Sequence, residues 1–360
     1  YLEGIPEDSV LHLPYPAYWW RRNGKTYSRK FMDAATANAR KALVERFERR
    51  QQAIGVDGAL TKTLHRIMFE APHEWPKISI VIPSKDNLDL IKRILGDLFE
   101  KTDYPNFEVL VIDNGSTDKA VLDLYEHYRK TQPRFSAVIN PEAFNFSRSV
   151  NRGLSAATGE HCLILNNDVE VIEPGWLKEM VSCLAYDRTG IVGAKLLFSN
   201  DKMQHAGVVI GFGGLAGHWY MNKPKEFGGP MNRLHVRNTL TCVTGAVMLI
   251  SGECLKKIGL FDEENFAVAY NDVDYCLRAY KAGYRIVWTP FACLYHHESL
   301  SRGSDKSGER KKRFEQEKQN LRRLHATQGF IDRALNPAYS RDKSDPRIVP
   351  PTLLRIPSMS

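Results

Sequence analysis

Several signals are missing from this 360-residue chain, and each absence narrows its function. No stretch approaches the roughly 18 consecutive apolar residues of a membrane-spanning helix. No charged leader followed by an apolar run and a small-residue cleavage site stands at the start. The six cysteines, Cys162, Cys183, Cys242, Cys254, Cys276 and Cys293, are scattered through core-like segments. None forms a Cys-x-x-Cys pair, which argues against a zinc ribbon and a disulfide framework. Buried reduced thiols in a cytosolic protein fit best. No Gly-x-Gly-x-x-Gly follows the first strand, and no Gly-x-x-x-x-Gly-Lys-Ser/Thr occurs anywhere. Dinucleotide binding and P-loop hydrolysis therefore lose ground. Charge of one sign is also limited. With 50 Lys plus Arg against 42 Asp plus Glu, the net charge of +8 permits an anionic partner without demanding one. No nucleic-acid partner is expected. Because the chain begins at Tyr1 rather than Met, a fragment or processed chain with an upstream domain is expected.

What is present points to one large α/β domain with an annex. Residues 1–76 differ from the rest. Tyr15, Tyr18, Trp19 and Trp20 cluster among prolines, and a helical pattern runs from about Asp33 to Gln52, closed by Gly55 and Gly58. The cluster is either a binding surface or an anchor packing the annex onto the main domain. Leu64–Phe69 suggests a short strand, followed by a proline linker. From Lys77 the pattern alternates. Strands are expected at Lys77–Pro83, Phe107–Ile112, Ser136–Asn140 and from Cys162. Helices are expected at Leu88–Lys101, Lys119–Lys130 and Asn145–Ala157. Such alternation implies βαβ units and a mostly parallel central sheet flanked by helices.

The segment Cys162–Val171 organises the rest. An apolar run ends abruptly in Asn166-Asn167-Asp168. In open α/β sheets the carboxyl ends of strands are where ligands bind. A carboxylate flanked by amides there suits a hard cation, Mn2+ or Mg2+, carrying substrate phosphates. The same residues also suit an ordinary polar turn. The second strand likewise ends in an acidic cluster, Asp113-Asn114-Gly115-Ser116-Thr117-Asp118. A carboxylate in these loops can accept hydrogen bonds from a uracil or thymine edge and a ribose hydroxyl.

The second half is less regular. A helix is expected at Trp176–Tyr186, strands at Gly190–Phe198, Thr241–Ser251 and Arg285–Thr289, and a flexible loop over a site at Phe227–Asn238. In Asn271-Asp272-Val273-Asp274, Asp272 could cap a helix, and Asp274 could pair with Arg278 four residues on. Residues 302–325 form a basic helix with Lys311, Lys312, Arg313, Arg322 and Arg323. It is either solvated or a peripheral contact with an anionic membrane surface. From Asn336 the chain turns irregular, as its Pro, Ser and charge content favours.

Taken together, these motifs resemble family-2 glycosyltransferases, inverting enzymes with the A-type nucleotide-sugar fold. Seven segments match in the family's order over about Lys77–Gly303. They are Ile80–Asp86, Val111–Asp118, Asn145–Ser147 with Asn151–Gly153, Leu165–Asp168, Gly245-Ala246, Asn271–Asp274 and His296–Gly303. More loosely, Val10–His12 and Trp20-Arg21 are similar to the spacer before this domain in bacterial polysaccharide-assembly proteins, where a second transferase often lies upstream.

The resemblance implies three regions: an annex at 1–76, a transferase domain at 77–303 and a C-terminal basic helix with an irregular tail at 304–360. It implies Asp272 as catalytic base. Asp168 would bind the metal, with His296 completing its shell and His297 as the alternative ligand. Pro83, Ser84, Asp86, Asp113, Asn114, Asn151 and Asn167 would hold the nucleotide. Gly245, Ala246, Asn271 and Asp274 would stand by the sugar and acceptor. The donor would be a UDP- or dTDP-sugar. The acceptor would be a glycan or lipid-linked sugar of bacterial surface polysaccharide such as O-antigen, at the inner face of the cell membrane. Two residues depart from the pattern. Asn166 stands where the family has the first Asp of its metal motif, and Asn271 where it has Glu. They lend weight to a rival reading, a non-catalytic glycan-binding or scaffolding domain of the same fold. A sugar nucleotidyltransferase is a further rival, but the first loop, Ser84-Lys85-Asp86-Asn87, lacks the glycine it would want.

Overall fold

A computed structural model describes Ser9 and residues 27–297, 308–336, 338–341 and 347–348. The aromatic cluster at Tyr15–Trp20, the Val10–Arg21 spacer match, Glu298–Gly303 of the closing His motif and most of the tail lie outside the described residues.

Helix α1 (Tyr27–Glu48) and the antiparallel hairpin of β1 (Ile54–Gly58) and β2 (His65–Phe69) form the annex. Gly55 and Gly58 therefore belong to a strand rather than to a helix end. The annex docks through an ion pair, Arg66 Nη2 to Glu179 Oε2 at 2.8 Å, and Phe69 packs edge-on against Tyr186. Glu179 is buried and also takes a two-pronged contact from Arg237, at 2.8 Å for each nitrogen. That pairing offsets the cost of burying its charge.

The main domain then alternates: β3 (Ile78–Ser84), α2 (Leu88–Gly96), β4 (Phe107–Asp113), α3 (Lys119–Thr131), β5 (Phe135–Ile139), α4 (Phe146–Ala156) and β6 (His161–Leu165). Next come β7 (Val169–Val171), α5 (Trp176–Ser182), β8 (Thr189–Leu197) and the short β9 (Met203–His205), β10 (Val208–Ile210), β11 (Ala216–His218) and β12 (Asn238–Leu240). The sequence closes with β13 (Val247–Ile250), α6 (Gly252–Ile258), α7 (Asn271–Lys281), β14 (Arg285–His296) and α8 (Gly308–His325).

The central sheet has the order β12-β14-β8-β13-β6-β3-β4-β5, with β7 on β14 and β9 on β8. The expected parallel pairing holds through β6, β3, β4 and β5, and again between β8 and β14. Strand β13 runs antiparallel between β6 and β8.

The period of two survives inside fully buried strands. Ile80, Ile82, Leu163 and Leu165 face α2, α3 and α5, whereas Val81 and Ile164 face α4, α6 and α7. Gly153 shows how closely α4 packs. A β-carbon at that position would lie 2.2 Å from Val81 Cγ1, so only glycine lets the helix approach β3.

Two expectations are corrected here. The segment Phe227–Asn238 contains a 3-10 turn, Pro230–His235, and packs against the annex, with Leu60 N–H donating to His235 O at 3.3 Å. The basic helix α8 is not merely solvated. It buries Glu317, Asn320, Leu321 and His325, with Asn320 bonded to Asn265 O and His325 to Asp274.

Candidate active site at the carboxyl edge of the sheet

Three adjacent parallel strands end at one edge. β3 ends in Pro83-Ser84, β4 in Asp113 followed by Asn114, and β6 runs into Asn166-Asn167-Asp168. Because β13 is antiparallel to β6, the residues that enter it, Gly245 and Ala246, reach the same edge. Asn166 N–H donates to Ala246 O at 2.9 Å. The far end of β14 arrives through its pairing with β7, which sets His296 opposite Val169. The first turn of α7 closes the ring, with Gly245 N–H donating to Asp272 Oδ2 at 3.0 Å.

These ends surround a cavity of about 910 Å3, within the range of small-molecule sites. Its lining includes Pro83, Ser84, Asn114, Asn167, Asp168, Gly245, Ala246, Asn271, Asp272 and His296, all expected from the sequence. Residues 77 to 296 thus deliver ten of the expected site residues to one hollow.

Asp168 and His296 meet directly. His296 Nε2 lies 3.1 Å from Asp168 Oδ1, and both side chains are buried. Gln204 fixes the ring. Its Nε2 donates to His296 O at 3.3 Å, so its Oε1 is the atom facing His296 Nδ1 at 2.7 Å. A carbonyl oxygen only accepts, so Nδ1 carries the proton. In the neutral ring, Nε2 then presents a lone pair to a carboxylate, an arrangement that a shared cation relieves. Asn166 Nδ2 stands 3.3 Å from the same ring nitrogen, and its Oδ1 is buried without a hydrogen-bond partner among the described residues. Carboxylate, imidazole and an unsatisfied amide oxygen fit a Mn2+ or Mg2+ ion. No set of three or more His, Cys, Asp or Glu side chains converges on a metal position among the described residues. Phosphate oxygens and water would complete the shell, as is usual for these ions. His297 is turned elsewhere, with Nε2 at 2.8 Å from Glu170 Oε2 and Nδ1 at 2.7 Å from Ser199 Oγ.

Asn114 shows a second unmet acceptor. Its backbone N–H is bonded to Ser84 O and its Nδ2 to Glu142 O, while its Oδ1 is buried without a hydrogen-bond partner among the described residues. Asn167 Nδ2 donates to Ser84 Oγ at 3.2 Å.

Four expected site residues lie behind the cavity rather than on its wall. Asp113 is fully buried. Ser116 N–H and Ser116 Oγ donate to it at 2.6 Å each, and Tyr125 Oη at 2.8 Å. Burial first, and then the Asp113 charge, push the Tyr125 phenol upward and keep it a donor. Asp86 accepts from the backbone N–H groups of Thr117 and Asp118, at 2.9 and 3.1 Å. The Asp118 bond and then the Thr117 bond hold its carboxyl below the usual range. Asp86 therefore ties the first loop to the second, and Asp113 braces the second from within. Asn151 gives both ends of its amide to Phe261, donating to its O at 2.9 Å and accepting from its N–H at 2.8 Å. Asp274 is shared between Arg278 Nε at 2.9 Å and His325 Nε2 at 2.8 Å. Each of the four is hydrogen-bonded within the protein and absent from the cavity lining.

Besides Lys85 of the matched Ile80–Asp86 segment and Phe146 of Asn145–Ser147, the cavity takes residues to which the sequence assigned no site role: Phe144, His218, Tyr270, and Arg310, Arg313 and Phe314 of α8. The signal for the last three was present in the basic helix, but nothing in its charge pattern says which face it presents to a cavity.

A curled sheet with its ligand cavity at the ends of β3, β4 and β6 is the A-type glycosyltransferase fold. The chain belongs to glycosyl transferase family 2, whose family model matches residues 79–258. Among curated relatives, it is 34% identical over 351 residues to an uncharacterized protein of Sinorhizobium fredii, covering 96% of this chain and 38% of that one. It is also 34% identical over 300 residues to the O-antigen biosynthesis protein RfbC of Myxococcus xanthus, covering 82% of this chain and 23% of that one. The chain thus spans well under half the length of either relative. Among solved structures, GalNAc-T7 with UDP, GalNAc and Mn2+ superposes with a TM-score of 0.55 at 14% identity, over 70% of this chain and 49% of that one. That likeness concerns the fold.

Proposed function

We propose that this chain is a metal-dependent, inverting glycosyltransferase that moves a sugar from a UDP- or dTDP-sugar to a glycan or lipid-linked acceptor in bacterial surface polysaccharide assembly. The observation that carries the reading is the convergence of Asp168, His296 and Asp272 on one cavity wide enough for a nucleotide-sugar. Similarity to an O-antigen biosynthesis protein supports the polysaccharide context. The length of the relatives supports further domains, such as an upstream transferase, in the whole protein.

Asp168 and His296 would hold the Mn2+ or Mg2+ ion. When bound, the ion supplies positive charge against which the diphosphate can leave. Asn114 Oδ1 is an acceptor suited to a pyrimidine N–H, and the loop at Pro83-Ser84 flanks it. Asp272 serves as base. Its Oδ2 is held by Gly245 N–H at 3.0 Å and its Oδ1 by Val273 N–H at 2.8 Å, so the carboxylate is aimed before an acceptor arrives. Asp272 takes the proton of an acceptor hydroxyl as that oxygen bonds to the anomeric carbon. The bond from that carbon to the diphosphate breaks on the opposite face, and its electron pair leaves with the phosphate oxygen. One displacement of this kind inverts the anomeric configuration.

Exposed Lys311, Lys312 and Arg322 on α8 suit contact with the anionic inner face of the cell membrane. Among the described residues, no helix is long and apolar enough to cross a membrane. The test of the function is product analysis with a panel of UDP- and dTDP-sugars. Transfer to an acceptor with inverted anomeric configuration supports it. Release of pyrophosphate from a nucleoside triphosphate, or nucleotide-sugar left intact throughout, overturns it.

A further inference from the structure

The segment that leads into the proposed base is held from both sides. On one side α4 grips it: Ser147 N–H donates to Ala267 O at 3.1 Å, and Asn145 Nδ2 to Glu263 O at 2.9 Å. On the other side lies α8. Asn320 Nδ2 donates to Asn265 O at 3.0 Å, Phe314 stacks on Tyr270 with ring centroids 5.8 Å apart, and His325 meets Asp274. Between these contacts sits Glu317. It is 3% exposed, and its two oxygens accept separately from the backbone N–H groups of Val268 at 2.8 Å and Ala269 at 3.1 Å.

Those two amides matter because the chain runs from them straight into the proposed base. Tyr270 precedes α7 with φ 60° and no side-chain cap. That left-handed conformation is costly for a non-glycine residue and persists only where neighbours impose it. Asp272 comes two residues later, in the first turn of α7. A buried carboxylate is costly unless hydrogen-bonded, and an apolar side chain would fill the same helix face without that cost. An apolar side chain would, however, leave two backbone N–H groups without acceptors.

We infer that Glu317 is the positioning residue of the base: its carboxylate locks Val268 and Ala269, and through the strained Tyr270 it sets where the Asp272 carboxylate stands. Helix α8 is then a working part of the catalytic unit, although it lies beyond the residues matched by the family model. The inference rests on the assignment of Asp272 as base.

The test uses the full chain with Glu317→Gln and Glu317→Ala, and Asp272→Asn as reference. Four quantities are measured: amide hydrogen exchange over residues 266–276, UDP affinity in the presence of Mn2+, melting temperature, and UDP or dTDP release. The release assay uses whichever of UDP-glucose, UDP-galactose, UDP-N-acetylglucosamine and dTDP-rhamnose the wild type consumes. The expected result is faster exchange at Val268 and Ala269 and a fall in kcat graded from wild type to Gln to Ala, reaching about 100-fold, the scale of a small misplacement of a catalytic group. UDP affinity stays close to wild type, and melting temperature falls only modestly as the two amides lose their acceptor. Faster exchange with unchanged kcat overturns the inference, as does unchanged exchange. So does a joint collapse of UDP binding and melting temperature in both variants, which marks a general structural role. Turnover by Asp272→Asn at the wild-type rate would instead sink the base assignment itself, whatever Glu317 does.

Discussion

The backbone N–H of Gly245 donates to Asp272 Oδ2 across 3.0 Å, joining the entrance of β13 to the first turn of α7. This bond brings a strand end and a helix start to the same point, and it orients the proposed base. Replacing Asp272 by Asn keeps one oxygen, for Gly245 N–H, gives up the acceptor of Val273 N–H and removes the capacity to take a proton. Transfer should fall about 10²–10⁴-fold, the usual worth of a general base, with nucleotide affinity nearly intact. Steady-state kinetics paired with calorimetric UDP titration checks this.

Gln204 orients His296 through both its ring and its backbone oxygen. Gln204→Leu removes the acceptor that keeps the proton on Nδ1, leaving Nε2 poorly aimed at Asp168. Mn2+ affinity in the presence of UDP should weaken about 10–100-fold, the typical effect of losing such a partner. Titration of Mn2+ followed by electron paramagnetic resonance reads this without any turnover. Unchanged affinity would mean that the ring holds its orientation without Gln204.

Gly153 faces Val81 at a distance that leaves no room for a methyl group. Gly153→Ala should destabilise the protein by about 1–3 kcal/mol, the cost of overpacking a tight core. The double variant Gly153→Ala with Val81→Ala should recover part of that loss, because the clash is with the valine methyls. Denaturant unfolding of the three proteins decides between a steric clash and some other defect.

Glu108 carries a pH-dependent contribution to stability. Burial alone would raise its carboxyl, but the bonds from Lys77, Ser79 and Thr158 outweigh burial and bring it from 4.5 to about 2. A folded value below the unfolded one means that the stabilisation is present above pH 4.5 and is lost as pH falls toward 2. Glu108→Gln should therefore be less stable than wild type near neutrality, and the gap should close as pH drops through that window. A gap that stays constant with pH would contradict the assignment.

Much of this was legible in the chain itself. The apolar run Cys162–Leu165 broken by Asn-Asn-Asp marks a strand delivering ligands at its end, and the alternation of β3, β4 and β6 says that three such ends lie together. His296 and Asp272 were reached through resemblance, since a lone His or a helix-start Asp has ordinary structural uses. Asn151 is bonded at both ends of its amide to Phe261, a partner 110 positions away that its sequence neighbourhood does not announce. Gln204 and Glu317 gave no signal at all. Each is a single polar residue whose meaning depends on partners 92 and 49 positions away. The β1–β2 hairpin was half seen, because Gly55 and Gly58 serve a strand in a position where they could equally end a helix.

The central claim is that one cavity at the carboxyl edge binds a nucleotide through a metal held by Asp168 and His296, with Asp272 free for proton transfer. Calorimetric titration of UDP and dTDP, with and without Mn2+, into wild type, Asp168→Asn and Asp272→Asn tests it most directly. The account predicts metal-dependent binding of one of these nucleotides by wild type and by Asp272→Asn, and its loss in Asp168→Asn. Nucleotide binding that ignores both Mn2+ and the Asp168 substitution, or no binding by the wild type, would contradict it.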